Sequence, residues 1–88
     1  MQWLVYIVRC ADGTLYTGIT NDVSRRVAEH NGEVSGKDKG AKYTKVRRPV
    51  TLVYQQPCAD RSAAARAEAA LRTLSRQEKL ALIESQLN

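Results

Sequence analysis

The 88-residue sequence has few of the features that mark several common protein classes. Its two cysteines, Cys10 and Cys58, stand far apart, with no Cys-x-x-Cys pair and no histidine spaced to share a zinc ion with them. They are expected to be buried, reduced thiols. The apolar run from Trp3 to Val8 is too short to span a membrane, and it lacks the basic flank and cleavage site of a signal peptide. The sequence therefore predicts a cytoplasmic protein without membrane contact.

Repeats and low-complexity linkers are also absent. The length suits one compact domain over residues 1–88, with a modest core and no room for a second module. A hydrophobic content of 43% and a charged content of 26% are ordinary for a globular domain and argue against disorder. We expect a single folded domain.

Net charge is +5, and all of the excess falls in one segment. Between Gly36 and Arg48 there are six basic residues and one acid, whereas the rest of the chain has eight of each. A basic segment that contains a tyrosine suits contact with a nucleic-acid backbone, because each neutralised phosphate releases counterions. The alternative is a solvated loop that only aids solubility. The residues concerned are Lys37, Lys39, Lys42, Tyr43, Lys45, Arg47 and Arg48.

The first third of the chain predicts a hairpin followed by a helix. The run WLVYIVRC is apolar at both alternating sets of positions, as in a central strand covered on both sides. The residues ADG make a turn and TLYTGIT is the second strand. Asn21 or Asp22 is a suitable N-cap for a helix that runs to His30 and ends at Asn31-Gly32.

The rest of the chain predicts a third strand and two further helices. VTLVYQQ is the strand, Asp60 caps an alanine-rich helix, and the capping box Ser75-x-x-Glu78 opens the last helix. The predicted fold class is α+β, with a small three-stranded antiparallel sheet flanked by about three helices.

The hairpin register decides whether Tyr6 and Tyr16 share a face of the sheet. A two-residue loop, Asp12-Gly13, would place Tyr6 opposite Ile19 and the two tyrosines on different faces. A three-residue loop with a left-handed Gly13 would pair residue 8 with residue 16 and place both tyrosines on one face. The Asp-Gly pair fits either turn; we favour the three-residue loop.

The helix after the hairpin has two charged pairs with helical spacing. Arg26 and His30 are four residues apart and share a face, while Arg25 and Glu29 form a rotated pair suited to a surface salt bridge. Gly18 has no side chain, so a backbone or phosphate could approach the end of the second strand. Two tyrosines, an arginine and a histidine could therefore converge.

The segments LVYI, LYTG, DVSRRVAEHN and RAEAALRTLSRQEKLALI together resemble the GIY-YIG endonuclease superfamily, most of all its small single-domain bacterial branch, the UPF0213-like proteins. The first signature is Leu4-Val5-Tyr6 and the second is Tyr16-Thr17-Gly18. Both tyrosines and the second glycine match, whereas the first glycine does not. The resemblance extends over nearly the whole chain.

The resemblance implies roles for individual residues. Tyr6 and Tyr16 would flank the attacked phosphate, and Arg26 would bind it. His30 would assist proton transfer or contact the phosphate, and Glu68 would hold one divalent metal ion, Mg²⁺ or Mn²⁺. Ile19 stands where some members have a basic residue, which leaves open how this chain activates its water.

Phosphodiester hydrolysis needs an activated water, positive charge for the phosphate oxygens and a stabilised leaving group. Either tyrosine could be the base; Tyr16 is placed first because it lies directly before the helix that carries Arg26. The nine acids form no Asp-x-Asp or similar cluster, so one largely water-coordinated metal fits better than two.

The implied function is a metal-dependent endonuclease acting on DNA. Relatives that cut specific sites usually depend on an attached DNA-binding domain, which we do not expect here. Strand structure, single-stranded or branched, is therefore the expected determinant of the substrate. The alternative is a non-catalytic nucleic-acid-binding module that keeps the fold. Protein partners are not predicted.

Overall fold

The computed structural model describes residues 2–33 and 42–87, and within them it contains a three-stranded antiparallel sheet and four helices. In chain order the elements are β1 (Trp3–Arg9), β2 (Leu15–Thr20), α1 (Val23–His30), α2 (Lys42–Lys45), β3 (Thr51–Cys58), α3 (Arg61–Arg72) and α4 (Arg76–Leu87). The strand order is β2-β1-β3. The predicted α+β fold is confirmed. No helix in the described part of the chain is long and apolar enough to cross a membrane.

Strand β1 is the central strand and is covered on both faces, as its sequence predicts. Val5 and Ile7 are fully buried on one face, and Tyr6 and Val8 are buried on the other. The alternation of side chains along a strand explains this division. Every residue from position 5 to position 8 therefore belongs to a core.

The first face of the sheet carries an aliphatic core under α3 and α4. Its buried members are Val5, Ile7, Tyr54, Leu71 and Ile83. Burial of an aliphatic side chain of this size contributes about 1.5–3 kcal/mol. This core fixes α3 across the sheet.

Capping residues place the helices where the sequence predicts them. Asp22, rather than Asn21, caps α1 by accepting a hydrogen bond from the Arg25 amide at 3.2 Å. Asp60 caps α3 in the same way, through the Ala63 amide at 2.8 Å. The predicted capping box forms between Ser75 and Glu78 and opens α4. Each cap satisfies amides that the helix itself leaves unpaired.

The second face carries a smaller core under α1. Tyr6, Val8, Cys10 and Val50 are buried there, with Val23 and Val27 of α1 among the partly buried residues packed against them. Of the two cysteines predicted to be buried, Cys10 is, whereas Cys58 is only half-buried because it ends the edge strand β3. Both thiols are free.

The hairpin has the three-residue loop. The Cys10 amide donates to the Thr14 carbonyl at 2.8 Å, and Gly13 has a left-handed φ of 85°. Val8 consequently lies opposite Tyr16, and Tyr6 lies opposite Gly18. Both tyrosines therefore project from the face that packs against α1, as predicted.

The basic segment is only partly described, and its described part is not a simple loop. Lys42–Lys45 form the one-turn helix α2, which brings the number of helices to four rather than about three. The cause is Thr44, which is fully buried and ties this turn to the core. Gly36, Lys37 and Lys39 lie outside the described residues.

Candidate active site

The hydroxyl of Tyr6 is the centre of a hydrogen-bonded cluster on the α1 face. It lies 2.8 Å from Nε2 of His30, and the Arg26 side chain also hydrogen-bonds to it. A guanidinium can only donate, so the phenol oxygen accepts the bond from Arg26. The predicted convergence of Tyr6 with Arg26 and His30 is therefore present.

Gly18 makes room for this hydroxyl. A Cβ atom at Gly18 would lie 2.5 Å from the Tyr6 hydroxyl oxygen and 2.7 Å from its Cζ atom, closer than real Cβ contacts. The Tyr6 phenol therefore lies over β2 at Gly18, the one residue of that strand without a side chain. Sequence reasoning expected Gly18 to admit a phosphate; in the structure the group that lies against it is the Tyr6 hydroxyl.

His30 is fully buried and connects Tyr6 to α2. Its Nδ1 atom lies 2.9 Å from the hydroxyl of Thr44, which is also fully buried. Burial, helped by the charges of Arg26 and Arg48 and opposed by Glu29, lowers the pKa of His30 to about 4. The imidazole is therefore neutral near pH 7. His30 has no exposed surface, and the Tyr6 phenol is one of the groups that cover it.

Burial also determines the protonation of Tyr6. It raises the pKa of the phenol to about 12; Arg26 opposes the rise, while Tyr16 and Glu68 add to it. The Tyr6 side chain is thus a neutral phenol at physiological pH. Its oxygen lies between a neutral imidazole and a permanently charged guanidinium, and only the imidazole can accept its proton.

Arg26 is held in place by an acid that sequence analysis assigned elsewhere. Glu29 accepts a hydrogen bond from Arg26 at 2.9 Å and also pairs with Arg25 at 3.4 Å. The sequence predicted only the Arg25 pair. Residues three apart on a helix are neighbours as well as those four apart, so the spacing of Arg26 and Glu29 contained the missing signal.

Tyr16 joins the cluster through its ring. It meets His30 edge-on, with centroids 5.3 Å apart, and it stacks on Tyr43 of α2 at 5.8 Å. The guanidinium of Arg47 lies 4.0 Å from the Tyr43 ring centroid. Tyr43 thus packs beside the predicted site, although it is far from Tyr16 in sequence.

The two arginines of the basic segment have partners within the protein. Arg47 donates to the Asp12 carboxylate at 3.1 Å and to the Tyr43 carbonyl at 2.8 Å. Arg48 donates to the carbonyl of His30 at 2.6 Å, and its guanidinium packs over Gly32, where a Cβ would lie 2.8 Å away. Both were predicted to bind nucleic acid; in the structure they hold the end of the segment against the hairpin and α1. Lys42 and Lys45 are exposed.

Glu68 lies on α3, close enough to Tyr6 to act on it electrostatically. Its side chain is 22% exposed, and its Oε2 atom accepts a hydrogen bond from Arg72 at 2.9 Å. Within the described ranges no three His, Cys, Asp or Glu residues are grouped so that they could hold a metal. A single carboxylate is a donor set that fits Mg²⁺ only if the ion keeps most of its waters.

Thr44 is the main residue that sequence analysis missed. It lies in the run AKYTK, where the neighbouring charges indicate an exposed segment and no apolar period marks a buried position. Only the tertiary structure shows that its hydroxyl faces His30. The Asn31 side chain adds a second link beside His30, because its amide accepts from the Val50 N–H at 2.7 Å and donates to the Val50 carbonyl at 3.1 Å.

Known proteins resemble this chain over most of its length. Residues 2–81 match the GIY-YIG catalytic domain. A UPF0213 protein of Desulfotalea psychrophila is 53% identical over 94% of this chain and 72% of its own, and one of Staphylococcus haemolyticus is 54% identical over 91% and 92%.

Solved structures agree with the sequence relatives. The solution structure of a UPF0213 protein of Bacillus halodurans is 40% identical, with a TM-score of 0.57 over 96% of this chain and 84% of the other. That of an E. faecalis protein is 35% identical, with a TM-score of 0.62 over 100% and 90%. With both signature tyrosines on one face beside an arginine and a histidine, the chain belongs to the GIY-YIG catalytic domain family.

Proposed function

We propose that this protein is a metal-dependent endonuclease that hydrolyses phosphodiester bonds in DNA and selects single-stranded or branched structures rather than a sequence. Its place of action would be the cytoplasm, in repair, recombination or the clearance of foreign strands. Membership of a nuclease family supports the reaction class. The observation that carries the proposal is the Tyr6 hydroxyl, held between Arg26 and His30.

Tyr6, rather than Tyr16, is the base in this proposal. In the tautomer whose Nδ1–H donates to Thr44, Tyr6 passes its proton to Nε2 of His30, and the phenolate then takes a proton from the attacking water. Arg26 stabilises the phenolate that results, because its guanidinium already bonds to the same oxygen. Tyr16 would then line the substrate side of the cluster. This order reverses the ranking made from sequence.

Glu68 is the residue that would hold a divalent ion. When bound, Mg²⁺ or Mn²⁺ would neutralise charge on the phosphate and the leaving oxygen. Arg72 forms a salt bridge with the Glu68 carboxylate. It therefore orients the Glu68 side chain and compensates its negative charge. Arg26 has an exposed fraction of 26% in its side chain, which leaves part of the guanidinium to contact a phosphate.

Nucleic-acid contact would come from exposed lysines of the basic segment. Lys42 and Lys45 flank the buried Thr44, so the backbone contacts would be directly linked to the His30 cluster. Lys37 and Lys39 remain predicted contacts. Arg47 and Arg48 would contribute mainly by holding this segment in place.

One observation favours the alternative of a non-catalytic nucleic-acid-binding module. Tyr6 is only 1% exposed, so its hydroxyl reaches a water only if the surrounding side chains move when substrate binds. A module that never opened would keep the fold and the charge without the reaction. The two functions differ in one measurable property, which is turnover.

A cleavage assay separates them. Purified protein is incubated with single-stranded, duplex and branched DNA in Mg²⁺, in Mn²⁺ and in EDTA. We expect cleavage with either metal and none in EDTA. Tyr6→Phe keeps the ring but removes the hydroxyl, and loss of a general base typically lowers the rate 10²- to 10⁴-fold.

Tyr54→Phe is the matched control, because the Tyr54 hydroxyl bonds to Gln56 and its ring belongs to the aliphatic core on the other face. It should cleave at the parental rate. Wild-type protein that binds DNA but cuts none of the substrates would establish the non-catalytic alternative. Tyr6→Phe cutting as fast as Tyr54→Phe would remove Tyr6 from the mechanism.

A further inference from the structure

A groove beside Tyr16 is lined by three basic residues of the junction between α3 and α4. Two adjoining hollows share Leu15, Tyr43 and Lys79, and together they form what we call the basic groove. Its remaining lining residues that matter here are Tyr16, Arg72 and Arg76. Arg72 ends α3, while Arg76 and Lys79 lie in the first turn of α4. The α3–α4 junction thus brings three cations to the edge of β2.

A second groove lies at the other end of the same strand. Thr20, Asn21 and Asp22 line it together with residues of α1, and we call it the mixed groove; the α1 residues are Arg25, Arg26 and Glu29. Strand β2 is an edge strand, and its six residues span roughly 20 Å. Gly18 and the Tyr6 hydroxyl lie between the two grooves.

The grooves differ in charge. The basic groove is lined by three cations, and no acid lines it among the described residues, whereas two cations and two acids line the mixed groove. A phosphate backbone binds where cations release its counterions. A nucleic-acid strand held along β2 would therefore gain much more binding free energy from the basic groove than from the mixed groove.

Helix stability does not explain these cations. Arg76 and Lys79 occupy the first turn of α4, where the helix dipole disfavours positive charge. Among the residues that the structure describes, neither forms a salt bridge, whereas Arg72 pairs with Glu68.

We infer that the basic groove binds the phosphate backbone of the substrate strand on one side of the attacked phosphate, through Arg72, Arg76 and Lys79. This rests on the proposed function for the position of the attacked phosphate, but not for the binding itself. Tyr43 forms one wall and is stacked on Tyr16, so the groove leads directly to the Tyr16 ring. The enzyme then holds its substrate asymmetrically.

The test is the salt dependence of binding, measured by fluorescence anisotropy of a single-stranded oligonucleotide in EDTA. The double variant Arg76→Gln, Lys79→Gln removes two cations and leaves the Arg72–Glu68 pair intact. For single strands the slope of log K against log salt changes by about 0.7 for each lost contact. We expect it to become shallower by about 1.4, with an unchanged melting temperature.

The first of two controls carries a matched loss of two charges, and the second a loss of one. Arg61→Gln, Arg66→Gln removes two exposed cations from the start of α3, where Arg61 lies over Trp3 and Arg66 bonds to Ser62. Arg25→Gln removes one cation from the mixed groove. Both should keep the wild-type slope.

An unchanged slope in the Arg76, Lys79 variant would overturn the inference, and so would an equal change in the Arg61, Arg66 control. The assay contains no metal and needs no turnover, so it is independent of catalysis. If wild-type protein cuts DNA but the slope does not change, the groove is wrong and the endonuclease stands. If the slope changes as expected but nothing is cut, the endonuclease is wrong and the groove stands.

Discussion

The two faces of one small sheet hold different kinds of core. Under α3 and α4 the hydrophobic cluster is aliphatic apart from Tyr54, as in Ile7 and Leu71. Under α1 the sheet buries a phenol, an imidazole and a hydroxyl, those of Tyr6, His30 and Thr44. The alternation of side chains along β1 separates the aliphatic core from the polar cluster, because neighbouring residues of one strand point to opposite faces.

The polar face is compatible with a stable fold only because its buried polar groups are paired by hydrogen bonds. In the part of the chain that the structure describes, every buried side-chain nitrogen and oxygen has a hydrogen-bond partner. An unpaired buried polar group costs about 1–3 kcal/mol, a large share of the stability of a domain this small. A substitution on the polar face should therefore alter activity most, and one on the aliphatic face should alter stability most.

The largest effect expected on stability is at Ile7. Ile7→Ala leaves a cavity in the aliphatic core and should lower the free energy of unfolding by about 2–5 kcal/mol, measured by urea denaturation. Ile7→Val, which should cost about 0.5–1.5 kcal/mol, keeps the series measurable if the alanine variant does not fold. Tyr6→Phe, on the other face, should cost less than Ile7→Ala. A larger loss for Tyr6→Phe would contradict the division between the faces.

Glu68 should have the next largest effect, and on activity alone. Glu68→Gln keeps the volume and an oxygen for Arg72 but removes the anionic charge that would hold the metal. Cleavage should fall by about 10²-fold or more, while DNA affinity without metal stays level or rises slightly. Cleavage at the parental rate would make Glu68 an ordinary helix residue.

Thr44 should have a smaller effect that separates positioning from packing. Thr44→Val keeps the shape but leaves Nδ1 of His30 without its hydroxyl partner. We expect cleavage to fall about tenfold, corresponding to a loss of about 1.4 kcal/mol, with a changed pH–rate profile. Thr44→Ser keeps the hydroxyl, so its cleavage rate and its pH–rate profile should stay close to those of the wild type. A loss in the serine variant with none in the valine variant would mean that the methyl group matters and the hydroxyl does not.

A separate effect, on stability alone, is the pH dependence that comes from His30. Its pKa is about 4 in the folded protein and near 6.5 when unfolded. Between these values the unfolded chain binds a proton that the folded chain does not, so stability falls by about 1.4 kcal/mol for each pH unit as the pH drops from 6.5 towards 4. Above pH 6.5 the contribution is constant.

His30→Gln isolates this contribution, because His30 is the only histidine in the chain. The difference between the unfolding free energies of wild type and variant should shrink as the pH falls through this window. Curves that stay parallel would show that burial does not suppress protonation of His30.

Local pattern was enough for every described element except α2, and for most of the cluster. The caps at Asp60 and Ser75, the central position of β1 and the ends of α1 follow from residue type and periodicity, which act over a few neighbours. The hairpin register stayed open because Asp12-Gly13 suits two turns. The structure distinguishes the two turns, because Gly13 has a left-handed φ of 85° and Val8 lies opposite Tyr16.

The sequence by itself determined the α+β fold, the helix starts and the family, because propensity, capping and signature residues are properties of short segments. Only the tertiary structure decided that Thr44 completes the His30 cluster, that Arg47 and Arg48 bind within the protein, and that the α3–α4 junction supplies the basic groove. The physical reason is that a hydrogen bond or a local charge depends on distance in space. Residues 14 or more positions apart meet only when packing of the two cores fixes where each helix lies on the sheet.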